Sequence, residues 1–246
     1  MARSTDTLGG ALALTVEALR RDARRLATAP GARRSIRAYL DSQPAPKLQL
    51  GCGANLLPGW LNTDRGAHAA GATYLDAARP FSVPTGSFEH VFCEHLIEHL
   101  DRERGAAMLT ECARVLRPGG RIRVSTPDLT VIAKLVEAGG GGDEIAARYV
   151  HWCAEGFLPD ANGDRPALVI NQLFHGWGHR FLYDHDTLAQ ALVAAGFEHV
   201  SRHPYGRSDD PELDGIDSHA DEDNLEMVAF ETLVLEADRR ALRPSA

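Results

Sequence analysis

Lysine is almost missing from this chain of 246 residues: Lys47 and Lys134 stand against twenty-four arginines. That bias reads as the codon preference of a GC-rich bacterial genome. Long apolar runs are missing too. No stretch approaches the roughly 20 residues that span a bilayer, which argues against a membrane helix. The short "ALALTV" near the N-terminus is followed by arginines instead of a small-residue cleavage site, so it does not read as a signal peptide. Asp6, Glu17 and Asp22 argue against a transit peptide. Cysteine is scarce. Cys52, Cys93, Cys112 and Cys153 contain no C-x-x-C pair, which excludes a disulfide framework and a zinc–thiolate site. They read as small core residues in a reducing compartment, and a cytoplasmic location is expected. Excess positive charge is absent as well. A net charge of −8 counts against general nucleic-acid binding, which depends on neutralising phosphates.

The charge is unevenly spread. Residues 1–40 carry eight arginines against three acids, whereas residues 209–238 carry twelve acids and neither Lys nor Arg. Both ends read as solvated faces. Leu12, Val16, Leu19, Ala23 and Leu26 form one stripe of a helix over residues 11–27, and a second short helix runs to Leu40. "SQPAPK" is a linker. The expected division is a helical extension over residues 1–46 and a main domain over 47–246, with 143–183 as an insertion.

From Lys47 onward, strands and helices alternate. Strands are expected at 47–50, 60–63, 72–75, 90–94, 121–126, 198–204 and 226–236. Helices are expected at 104–117, ended by "RPGG", and at 186–195, capped by Asp184 or Asp186 and closed by Gly196. Such alternation predicts an α/β fold, a Rossmann-like doubly wound sheet, mostly parallel with an antiparallel last strand. Ligands bind such sheets beyond the carboxyl ends of the strands, where "LGCG" lies.

A glycine loop there lets a ligand lie against bare backbone, and an acid ending the next strand can accept hydrogen bonds from ribose hydroxyls. Asp64 has that position. Only eleven residues separate it from Gly53, and Leu56 stands where a third glycine would complete G-x-G-x-x-G. A nicotinamide-dependent oxidoreductase is therefore the weaker reading. A cofactor-binding subunit without catalysis, docking through its N-terminal helix, is a second alternative.

"LGCG", "GWLNTD", "YLDAARPF", "GSFEHVFCEHLIEHL" and "ECARVLRPGGRIRVSTPDL" together resemble the successive motifs of class I S-adenosylmethionine-dependent methyltransferases, of the methyltransferase type 11-like group. The likeness is strong over residues 47–130 and looser over 184–237. It implies S-adenosylmethionine as cofactor. Leu50, Gly51, Cys52 and Gly53 would lie under its methionine and ribose, Asp64 would hold the ribose, and Asp76 with Ala77 would face the adenine. Glu94, His95 and Leu96 would line the methionine end. "RPGG" is a structural turn in that comparison.

"EHLIEHL" places His95 and His99 at helical spacing around Glu98, but the H-E-x-x-H order of zinc proteases is not matched, so no metal is assigned. The insertion concentrates aromatics and histidines in "YVHWC" and "NQLFHGWGHRFLYDHD". Methyl transfer needs alignment and often a base, and histidine serves at neutral pH. His175 and His179 are the candidate bases, with Trp152, Asn171, Tyr183 and His219 as acceptor-site candidates. The expected acceptor is an oxygen or nitrogen of a small molecule, such as a sugar or secondary metabolite. No nucleic acid or membrane partner is expected, and the N-terminal helix could join two copies in a homodimer.

Overall fold

The apolar run that begins at Lys47 becomes the central strand of a seven-stranded sheet, ordered β3-β2-β1-β4-β5-β7-β6. The computed structural model describes residues 30–66, 70–138, 143–158 and 163–241. The stripe expected over 11–27 lies outside them. Helix α1 covers residues 30–42 and packs Ile36 into the main core. Its Tyr39 hydroxyl accepts from Lys47 N and donates to Gly59 O, fastening the helix to the start of the sheet.

Strands β1 (Lys47–Leu50), β2 (Leu61–Asp64), β3 (Thr73–Tyr74), β4 (Phe88–Glu94) and β5 (Leu116–Pro127) run parallel. β1 sits between β2 and β4, with Leu48 beside both Leu61 and Val91. The chain reverses its winding there, so ligands are expected beyond the ends of β1 and β4. β6 (Phe197–His203) and β7 (Thr232–Arg239) close the sheet, β7 being antiparallel to both neighbours.

Helix α2 (Arg102–Val115) starts at Asp101, whose carboxylate accepts from Arg104 N, and buries Met108, Leu109, Cys112 and Val115. It is two residues out of register with the expected 104–117. The "RPGG" turn is absorbed into β5 as a bulge: Phe88 pairs with Leu116, but His90 pairs with Arg121. A Cβ at Gly120 would lie 2.8 Å from Glu89 O, so the strands meet there only through glycine.

Two further expectations need correction. The insertion begins directly after β5, with α3 (Leu129–Ala138), α4 (Glu144–Phe157) and α5 (Pro166–Asn171), then a π turn at Gln172–Gly176. These helices bury Leu135, Ala146, Tyr149, Cys153 and Val169 in a second core of their own. The strand expected at 226–236 is instead α7 (Leu225–Glu231) followed by β7.

Helix α6 (His185–Ala195) begins at Asp184, whose carboxylate accepts from Thr187 N, and ends at Gly196 with φ +104°. The hydrogen bonds from Thr187 hold the Asp184 carboxyl below its ordinary range. The cap therefore contributes fully above the unfolded-state pKa and is lost as pH falls through the folded value. Asp184→Ala should cost about 1 kcal/mol in urea unfolding at pH 7, with less cost in acid. An equal cost at all pH values would contradict the charged cap.

Candidate functional site

The loop after β1 is built from two left-handed glycines, Gly51 at φ +66° and Gly53 at φ +52°. A Cβ on Gly51 would sit 2.9 Å from Leu96 Cδ1, whereas one on Gly53 would meet nothing within 4 Å. The first glycine admits Leu96 and the second leaves bare backbone facing open space. Asp64 fastens the loop: its Oδ2 accepts from Gly53 N at 3.1 Å, and its Oδ1 accepts from Gly66 N. Cys52 is buried, and burial pushes its thiol up to about 11, so it is no nucleophile at neutral pH.

A cavity of about 450 Å³ opens beyond β1 and β4. Gln49, Gly51, Cys52, Gly53 and Asn55 form one side. Trp152, Phe157, Trp177, His99 and His179 form the other. The aromatic wall is a chain of edge-to-face rings, Trp152 to Phe157 at 5.3 Å and Phe157 to Trp177 at 5.2 Å. Gln49 is 3% exposed, and its Oε1 has no hydrogen-bond partner. A buried acceptor left without a donor beside an open glycine loop fits a site built for a polar ligand. S-Adenosylmethionine, with its charged amino-acid and ribose groups, matches that donor demand.

Between the two sides lies the turn after β4. His95 holds φ +45°, an uncommon conformation for a side-chain-bearing residue, and its N–H donates to Ser125 O. Its Nδ1 lies 3.3 Å from Glu98 Oε1, and its ring stacks on His219 at 4.0 Å. Burial lowers the His95 pKa, but the Glu98 carboxylate outweighs it and leaves the imidazole raised. Glu98 is held low by the same pairing against the penalty of its own complete burial. His219 is pushed down to about 4 by burial and by His95. His179 is lowered by burial.

The acidic loop after β6 is tied down from within. Glu94 accepts from Ser218 N, His219 N and the Tyr205 hydroxyl. Arg123, with no exposed surface, bonds Asp217 and Glu236. Asp217 also accepts from the Ser125 hydroxyl and Gly206 N. The segment read as a solvated face thus carries a buried anchor.

The remaining sequence candidates divide between this cavity and other places. Leu50 is buried beneath the loop, and Leu96 packs on Gly51. Asp76 and Ala77 lie elsewhere: Asp76 accepts from Ala78 N, pairs with Arg79 at 3.6 Å and lines a hollow of about 50 Å³ under α1. Trp152, His179 and His219 face the cavity. His175 does not, because the π turn leaves it exposed beside Phe174. Asn171 is exposed and donates to Ala167 O. Tyr183 is 1% exposed and packed under Gly105, a core residue. Gln49, Glu98, His99, Phe157 and Trp177 also line the cavity although the sequence assigns them no site role; the local signals for them are the "EHLIEHL" spacing for Glu98 and His99, the aromatic run around Trp177, and the polar Gln49 inside an apolar strand.

Residues 64–124 match a family model described as a methyltransferase domain. No curated protein matches the chain. Among solved structures it is similar to a SAM-dependent methyltransferase from Archaeoglobus fulgidus, at 16% identity over 84% of this chain and 92% of that one, with a TM-score of 0.46. A methyltransferase from Mesorhizobium loti gives 19% identity over 82% and 96%, with a TM-score of 0.43. The CurJ carbon methyltransferase gives 13% over 82% of this chain, at a TM-score of 0.45, and this chain spans 51% of its length. Identities this low mark distant likenesses. Among the described residues no helix is long and apolar enough to cross a membrane. Residues 64–124, which run from the end of β2 through most of β5, are thus the part of this sheet that matches a methyltransferase domain.

Proposed function

We propose that this enzyme methylates an oxygen or nitrogen of a small molecule whose ring or apolar body rests on Trp152, Phe157 and Trp177. The observation that carries the reading is the single cavity of about 450 Å³ with the glycine loop on one side and the aromatic wall on the other. That size suits a small ligand. The bound cofactor supplies an electrophilic methyl on a sulfonium. That methyl would pass to the acceptor's lone pair, and the electron pair of the broken carbon–sulfur bond would stay on sulfur.

The chain's own part is alignment and proton removal. Gly51 and Gly53 admit the donor, with Asp64 behind the loop for the ribose. His219, neutral at pH 7, takes the acceptor's proton. His179 donates from Nδ1 to Leu173 O at 2.6 Å, which fixes its ring on the cavity wall with Nε2 unprotonated. His95 is already engaged by Glu98 and stacked on His219, so it is not assigned as the base.

The test is methyl transfer from labelled donor to a panel of phenols, sugars and amines. Label should appear on oxygen or nitrogen, and His219→Ala should lower kcat by about 10²-fold or more with S-adenosylhomocysteine affinity unchanged. Label found only on carbon, or full turnover by His219→Ala, would contradict the reading.

A further inference from the structure

We infer that Glu98, His99 and His179 form a binding site for one divalent transition-metal ion on the acceptor side of this cavity. Their ligand atoms all lie within 4.8 Å of one another. Around a tetrahedral ion at about 2.1 Å from each ligand, neighbouring ligand atoms stand roughly 3.4 Å apart, so small side-chain rotations complete the site.

Four features point to an ion instead of a chance cluster. Glu98 has no exposed surface; its Oε2 accepts from the Thr126 hydroxyl, and its Oε1 makes no close hydrogen bond, the nearest group being His95 Nδ1 at 3.3 Å. That leaves a fully buried carboxylate with lone pairs to offer a cation. Second, the Leu173 carbonyl accepts a hydrogen bond from His179 Nδ1 at 2.6 Å and so leaves the Nε2 lone pair available, as a carbonyl behind a metal-bound histidine does. Third, the rings of His99 and His179 meet edge to face at 5.1 Å and 72°, an arrangement that lets two in-plane lone pairs converge on one point. Fourth, the backbone fixes the pairing, because Arg180 N and Phe181 N both donate to Glu98 O.

A neighbouring cluster, His95, His219 and Glu231, meets the same distance criterion. It fits less well. Its two rings are stacked at 19°, so their lone pairs run nearly parallel, and the Tyr149 hydroxyl already engages Glu231.

Two imidazoles and one carboxylate favour zinc, cobalt(II) or iron(II) over magnesium or calcium, and leave coordination positions open to the cavity. The role of the ion rests on the methyl-transfer reading: it binds the acceptor's heteroatom, lowers its pKa and so eases proton loss to His219, while His179 serves as ligand.

The test uses full-length, chelator-treated protein titrated with Zn²⁺ by calorimetry, with Co²⁺ visible absorption as a second readout. One ion should bind per chain. His99→Ala and His179→Ala, both on the accessible rim, should each weaken Zn²⁺ by at least the ~10–100-fold typical of losing even a supporting partner. His219→Ala should bind as the parent does. Absence of binding, parent-like affinity in either rim variant, or loss confined to His219→Ala would overturn the site. Parallel titration with S-adenosylhomocysteine separates the two ideas. Its binding without Zn²⁺ binding removes the metal alone, and Zn²⁺ binding without it removes the methyl-transfer reading alone.

Discussion

Arg123→Ala should lower the free energy of unfolding by about 3–5 kcal/mol, the cost of stripping one partner from a buried ion cluster. Arg123 lies in the middle of β5 directly beside Glu236 of β7, and neither side chain is more than 1% exposed. Its Nη1 donates to Glu236 Oε1 at 2.6 Å and to Arg207 O at 3.0 Å, and its Nε and Nη2 reach both oxygens of Asp217. Without the guanidinium, two carboxylates remain in the core with their main cation gone. Asp217 anchors the loop that bears His219, so the substitution should also lower turnover. Arg117→Ala is the control. Arg117 pairs with Glu89 at 2.5 Å, but both are substantially exposed, and such pairs contribute under about 1 kcal/mol. Denaturant midpoints for the two variants decide the matter. Equal, small losses would show that the buried cluster is not the anchor described.

Asp64→Ala should weaken S-adenosylhomocysteine by roughly 2–3 kcal/mol, about 30- to 150-fold. The carboxylate acts twice in the proposed site. It accepts from Gly53 N and Gly66 N, tying the loop, and in the proposed function its remaining lone pairs would accept from the ribose. Alanine removes both at once. Asp64→Asn keeps one acceptor without charge and should fall between the two. Parent-like affinity in a folded Asp64→Ala protein, judged by its unfolding midpoint, would remove Asp64 from the site.

The sheet was legible because its signals are local. Short apolar runs, the glycine loop and the Asp184 and Gly196 caps act over a few residues, and each lies where the pattern puts it. The failures share a different cause. "EMVAF" is apolar enough to be either a buried helix turn or a strand, and only docking against the second core selects α7. Arg123 sits in "RIRVSTP", where alternation suggests solvent, and its partners arrive from distant segments. His95 and His99 looked like one helical face. The left-handed His95 followed by a single 3₁₀ turn at Ile97–His99 sends them to different clusters. His175 and His179 are both candidate bases on composition, yet the π turn leaves His175 exposed while His179 reaches the cavity.

The central claim is that the space beyond β1 and β4 holds S-adenosylmethionine. Isothermal titration of the protein with S-adenosylhomocysteine, with NADH as comparison, tests it most directly. The account predicts saturable binding of S-adenosylhomocysteine near one per chain and no heat with NADH. Binding of NADH alone, or of neither ligand, would contradict it.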